Sequence, residues 1–140
     1  CKGGILQKKA INECGQQLIE NYDIRCSDGV DSSARSLSGG NQQKLIIARE
    51  FSADPDILIL VQPTRGVDVG AISNIHQNIL KQLELGKAIL LVSLELDEVM
   101  QLSNRISVIH DGEIMGTTLT ASATEQEIGL MMAGMRGKHE

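Results

Sequence analysis

The sequence predicts an α/β fold organised around a largely parallel sheet, and three observations point there. Two continuous apolar runs, Ile57–Val61 and Ala88–Val92, have the length and composition of strands buried on both faces. Between them, segment 69–85 places Ile72, Ile75, Ile79 and Leu83 at helical spacing, the mark of an amphipathic helix. Beyond them, Arg105–His110 reads as a strand running into Asp111-Gly112, a strong hairpin turn, with an antiparallel return over 113–117. Strand, helix and strand in alternation imply layers of helix on sheet.

The remaining elements fit around this frame. Segment 8–22 predicts a first helix with Ile11, Cys14, Leu18 and Ile19 on one side, weakened by Gly15 at about 1 kcal/mol relative to alanine. Segment 23–35 is a polar connector. A second helix follows over 41–53, with Leu45, Ile46, Ala48 and Phe51 among its apolar positions; Pro55 restricts Asp54 and stops it. Gly86 lies where the cap of helix 69–85 belongs. A short helix is expected over 96–102. Thr124 and Glu127 form a capping box that opens a last helix carrying Ile128, Met131 and Met132. Residues 137–140 should fray.

At 140 residues the chain suits one domain or part of a larger one. Its opening, Cys1-Lys2-Gly3-Gly4, without an initiator methionine, reads as the start of a piece excised from a longer polypeptide. Net charge is −5 with no basic stripe, which argues against nucleic acid as a partner, since phosphate binding needs clustered Lys and Arg. The apolar runs fall far short of the ~20 residues that span a bilayer. Cys1, Cys14 and Cys26 are odd in number and carry no metal spacing, which suggests a reduced compartment. His76, His110 and His139 are scattered, and read as structural or surface residues.

The most informative stretch is Leu37-Ser38-Gly39-Gly40-Asn41-Gln42-Gln43-Lys44. The glycines lack the Cβ atoms that would hold another molecule off the backbone. The helix beginning there turns unpaired N–H groups and the positive end of its dipole outward, an arrangement that binds phosphate. Ser38 adds a hydroxyl. Ser-Gly-Gly alone reads first as a loop ended by a helix cap, since turn residues are common before helices.

The longer string resembles the signature motif of the ATP-binding cassette (ABC) transporter ATPases, in the version found in sugar- and nucleoside-type importers. The resemblance covers nearly the whole chain and implies a P-loop NTPase-like layer fold. It implies that residues 1–40 end the helical subdomain, and that 41–140 are the C-terminal half of the nucleotide-binding core plus a terminal helix. In that family Ser38, Gly39 and Gly40 would grip the γ-phosphate of ATP held by a partner cassette, fused or dimeric, with Asn41 and Gln42 shaping the signature helix. Asp68 falls at the D-loop aspartate, which communicates between nucleotide sites. Transmembrane permease subunits would be the other partners, and the location would be the cytoplasmic face of the membrane.

Three positions depart from the family pattern. Where the Walker B element ends in Asp-Glu, this chain has Val61-Gln62. Valine offers no oxygen to Mg²⁺, and a glutamine amide orients a water without accepting its proton. Losing such a base costs about 10²–10⁴ in rate. Leu94 stands in place of the switch histidine and cannot contact a phosphate. No Gly-x-x-x-x-Gly-Lys-Ser/Thr occurs, and Tyr22 and Phe51, the only rings, lie far from any adenine-stacking motif. ATP and Mg²⁺ are therefore expected in the complete parent, and no cofactor in this segment alone. The functional expectation is an importer ATPase segment that serves a partner's site while its own is degenerate. A catalytically silent scaffold and a soluble, non-transport ABC-type ATPase are the alternatives.

Overall fold

The computed structural model describes residues 6–137. In chain order it holds α1 (Lys8–Asn21), α2 (Gly39–Ser52), β1 (Ile57–Val61), α3 (Val69–Glu84), β2 (Ala88–Val92), α4 (Leu96–Leu102), β3 (Arg105–His110), β4 (Glu113–Leu119) and α5 (Glu125–Met132). Short 3₁₀ turns lie at Gly29–Asp31, Ala34–Ser36 and Thr120–Ser122. β1 pairs with β2, and β3 with β4. The chain forms two compact units. One comprises the residues up to 58 together with 63–90; the other comprises 59–62 and the residues from 91 onward.

In the first unit, α1 packs on α2 and on the turn at Gly29–Asp31, and α2 packs on α3. Gly15, a helix weakness by propensity, has a packing reason: a Cβ there would meet Val30 Cγ1 at 3.1 Å. The buried stripe of α2 is Gly40, Lys44, Ile47, Ala48 and Phe51. Phe51 meets Tyr22 edge to face, with ring centroids 6.5 Å apart. The rings are thus occupied with each other. In α3, Ile75 and Ile79 are fully buried, whereas Leu83 at the end of the predicted stripe is exposed. Gly86, with φ 81°, follows the helix as expected of a left-handed cap. Lys87 bridges Asp54 at 2.7 Å, and the Ala88 N–H donates to the Asp56 carbonyl at 2.9 Å, which opens the β1–β2 pairing.

In the second unit, β3 and β4 form an antiparallel hairpin from Arg105↔Leu119 to His110↔Glu113, with a bulge between Val108 and Ile109. Asp111 (φ 48°) and Gly112 (φ 81°) are both left-handed, the geometry of the tight turn that Asp-Gly predicts. Ile106, Val108, Met115, Ile128 and Met131 make the core, with Leu96, Val99, Met100 and Ala123 around it. The capping box is complete: Thr124 Oγ1 accepts from the Glu127 N–H, and the Glu127 carboxylate accepts from the Thr124 N–H.

Several expectations need correction. The runs in β1 and β2 are not buried on both faces. Leu58 and Leu60 are buried while Ile57, Ile59 and Val61 are exposed, and in β2 Leu90 and Val92 are exposed. A continuous apolar run marks a strand with two faces to cover, and among the described residues only one face finds cover. α2 starts at Gly39 rather than 41, so both glycines belong to its first turn. The return strand extends to Leu119. Gly137 is held, its N–H donating to the Met115 carbonyl at 2.9 Å. Met132 is exposed, and Met131 alone of that pair packs. Cys1, Gly3, Gly4 and His139, and the fraying expected over 138–140, lie outside the described residues.

Truncating Ile128, among the most buried side chains, to alanine should lower unfolding stability by about 2–5 kcal/mol. Met132→Ala on the exposed face of the same helix should stay within about 0.5 kcal/mol. Denaturant midpoints for the two variants check this, and equal losses would contradict the core assignment.

Candidate functional site

The first turn of α2 is the most built feature of the first unit. Ser38 is its N-cap, with extended backbone, and its Oγ accepts from Asn41 twice: from the backbone N–H at 3.4 Å and from Nδ2 at 2.9 Å. A hydroxyl has two acceptor positions and one proton. With both acceptor positions taken, Ser38 has only its O–H left to offer, and the residue is exposed. The N–H groups of Gly39 and Gly40 belong to the helix's first turn, which has no intrahelical acceptors to give them. Gln42 Nε2 donates to the Leu37 carbonyl at 2.9 Å, holding the approach to the helix.

The two glycines do different things. Gly39 is exposed, open to a ligand. Gly40 is buried, and a Cβ there would come within 3.3 Å of Asp68 Oδ2 and 3.8 Å of Val67 Cγ1. Its missing side chain makes room for this chain's own loop. Asp68 caps α3, its Oδ1 accepting the Ala71 N–H at 3.0 Å. Gly66 (φ 72°) and a Val67 N–H to Thr64 carbonyl bond of 3.2 Å shape that loop. Asp68 and the signature turn are therefore neighbours.

A second group surrounds Lys44, whose side chain is only 7% exposed. Its Nζ donates to the Asp23 carbonyl at 2.7 Å and to Asp23 Oδ2 at 3.1 Å. Asp23 sits just beyond the end of α1 with φ 50°, a conformation uncommon for a residue other than glycine. Two residues later the Arg25 N–H donates to Asn41 Oδ1 at 2.9 Å. The hydrogen bond and charge of the Lys44 ammonium hold the Asp23 carboxyl below its usual range.

The positions that depart from the family pattern lie in the second unit. Gln62 directly follows β1 in a left-handed conformation, φ 52°, and its N–H donates to the Val92 carbonyl at 2.8 Å. This bond brings the C-terminal ends of β1 and β2 side by side, so Val61, Gln62 and Leu94 gather where α/β sheets bind ligands. Val61 is 62% exposed and Leu94 76%. Beside them, Ser93 Oγ accepts the Glu95 N–H at 3.0 Å. Val61 and Leu94 offer no oxygen to a Mg²⁺ shell, and Gln62 offers only a neutral amide oxygen in place of a carboxylate. Among the described residues no group of three or more His, Cys, Asp or Glu could hold a metal. No helix among them is long and apolar enough to cross a membrane.

Known proteins similar to this chain are numerous. No protein-family model matches the chain. The nucleoside import ATP-binding protein NupA of Lactococcus lactis is 50% identical over 133 residues, 95% of this chain and 26% of that protein. The guanosine import ATP-binding protein NupO of Bacillus subtilis is 50% identical over 96% of the chain and 26% of its own length. Among solved structures, a dimeric ATP-binding cassette in a post-hydrolysis state bound to ADP and Pi superimposes with a TM-score of 0.72 at 24% identity, over 84% of this chain and 50% of that one. The ATP-binding subunit of an ABC transporter also gives 0.72, at 19% identity, over 91% of this chain and 56% of its own. The chain belongs to the ATP-binding cassette ATPases. It spans about a quarter of the length of these curated relatives.

For an ATP-binding cassette, the structure brings Ser38, Gly39, Gly40, Asn41, Gln42 and Asp68 together in one unit and Val61, Gln62 and Leu94 together in the other. Sequence reasoning passed over Lys44, Asp23 and Arg25. A signal existed for the first: Lys44 precedes Ile47, Ala48 and Phe51 at helical spacing, so it falls on the apolar stripe.

The Asp23–Lys44 pair makes stability pH-dependent with a definite sign. Asp23 has a lower pKa folded than unfolded, so its contribution is present above the unfolded value of about 3.9. That contribution is lost as pH falls through the folded value. Acid unfolding of Asp23→Asn should show a shallower loss on this limb than the parent, and salt should narrow the gap because the carboxylate is largely exposed. Superimposable acid profiles would count against the pair.

Proposed function

We propose that this chain is the C-terminal half of a cassette from the ATP-binding subunit of a sugar- or nucleoside-type importer, and that it serves a neighbour's ATP rather than its own. The observation that carries this reading is the state of Ser38: exposed, with its acceptor positions filled by Asn41, it can only donate. A γ-phosphate oxygen can only accept. Ser38 O–H, the first-turn N–H groups of α2 and the helix dipole would converge on that phosphate. Asn41 and Gln42 hold the turn in shape, and Asp68 supports it from the neighbouring loop. The names of the relatives, nucleoside, guanosine and ribose import ATP-binding proteins, support the transport class.

This chain's own hydrolytic position would be weak. Gln62 can orient a water but not take its proton, and Leu94 cannot touch phosphate. The complete subunit would bind ATP with Mg²⁺, which requires a P-loop that this segment does not contain. Residues 1–40 would close the helical subdomain facing the permease, at the cytoplasmic face of the membrane. The apolar outer sides of β1 and β2, with Ile57, Ile59 and Val61 exposed, are the surface that the other half of the cassette would cover. A silent scaffold is the second reading, favoured by Val61, Gln62 and Leu94 themselves.

ATPase measurements on the complete subunit with its partner cassette separate the two. Ser38→Arg, which fills the mouth of α2, should abolish ATP-dependent association and cut turnover by at least about 10². Gln62→Ala should change turnover little, because that position already lacks a base. A scaffold would tolerate Ser38→Arg. Full turnover by this cassette paired only with itself would contradict the division of labour.

A further inference from the structure

We propose that Lys44 is a positioning residue for the Ser38 hydroxyl, acting through the turn at Asp23 and the side-chain amide of Asn41. The inference rests on the reading that Ser38 grips a phosphate and adds what aims it.

Lys44 is the one charged residue in the buried stripe of α2. Burying an ammonium is costly unless it is paired and hydrogen-bonded, and an apolar residue of similar volume often does as well for stability. What lysine adds here is geometry. Its Nζ meets both the carbonyl and the carboxylate of Asp23, at 2.7 and 3.1 Å, and those two bonds hold Asp23 at φ 50°. The Ile24 N–H returns to the Ile19 carbonyl at 3.0 Å, closing the turn at the end of α1. The turn delivers the Arg25 N–H to Asn41 Oδ1 at 2.9 Å.

That last bond decides which way the Asn41 amide faces. With Oδ1 committed to Arg25, Nδ2 is the end that reaches Ser38, and it donates to Oγ at 2.9 Å. The serine hydroxyl is thereby filled on its acceptor side and left to donate outward. Turned over, the same amide would present an oxygen to Ser38 and draw the hydroxyl proton inward, away from any anion. The chain from Lys44 through Asp23, Arg25 and Asn41 to Ser38 thus sets the polarity of a single O–H group, and it ties that polarity to the end of α1.

The test uses the complete ATP-binding subunit with its partner. Lys44→Met, which keeps the length of the stem without its charge, should raise the KM for ATP roughly tenfold, the loss of one well-aimed donor, with a smaller change in kcat. Lys44→Arg should restore most of the loss. In a Ser38→Ala background Lys44→Met should have no further effect, since the hydroxyl it aims is gone; additive losses would assign Lys44 a merely structural part and overturn the proposal. Should Lys44→Met fail to fold, Asp23→Val provides the same readout, because a β-branched residue resists the left-handed turn. Ser38→Ala without any defect would sink the phosphate-gripping reading itself. A Ser38→Ala defect beside an unaffected, folded Lys44→Met would sink only the role given to Lys44.

Discussion

The constraint on which the rest depends is that α2 must be bare at its first turn and buried along its body. A helix is anchored by its apolar stripe, since propensity alone holds 14 residues only marginally. Ile47, Ala48 and Phe51 supply that anchor. At the other end, Gly39 is exposed and carries no side chain over the unpaired N–H groups of the first turn. Ser38 reconciles the two demands, capping the helix with its acceptor positions while its proton remains to be given away. A cap of the ordinary acceptor-only kind, such as aspartate, would satisfy the helix equally and repel a phosphate.

The elements were legible where a local rule had a single outcome. Asp111-Gly112 could be only a tight turn, Thr124 and Glu127 only a capping box, and the spacing of Ile75 and Ile79 only one face of a helix. Legibility failed where a residue's neighbour comes from elsewhere in the chain. Gly40 looked like an opening for a ligand, yet the atoms it avoids belong to Asp68 and Val67. Lys44 was passed over, although its position on the stripe placed it inside. Asp23 carried no signal at all, since nothing local asks an aspartate to adopt φ 50°. The apolar runs of β1 and β2 were read correctly as strands and wrongly as covered. Composition reports what a strand is suited to, and coverage depends on how many layers are present to pack on it.

The site residues divide in the same way. The family resemblance singled out Ser38, Gly39, Gly40, Asn41, Gln42, Val61, Gln62, Asp68 and Leu94 as candidates, because those positions sit in contiguous motifs. It did not reveal that Asn41 serves Ser38, because that service depends on the Arg25 N–H, sixteen residues upstream. Motifs preserve groups that meet a ligand. The groups that aim them are spread over connectors such as 23–35, where no local pattern marks them.

The placement of the departures from the family pattern then acquires a physical logic. Val61, Gln62 and Leu94 belong to the unit containing β3, β4 and α5, whereas Ser38, Asn41, Lys44 and Asp68 belong to the unit containing α1, α2 and α3. None of the hydrogen bonds that orient Ser38 involves a strand-end residue. On the proposed reading, the lack of a general base at Gln62 would therefore cost the turn at Ser38 nothing in its own geometry. The reverse loss has no such shelter. A Cβ added at Gly40 would come within 3.3 Å of Asp68 Oδ2, on the aspartate that caps α3.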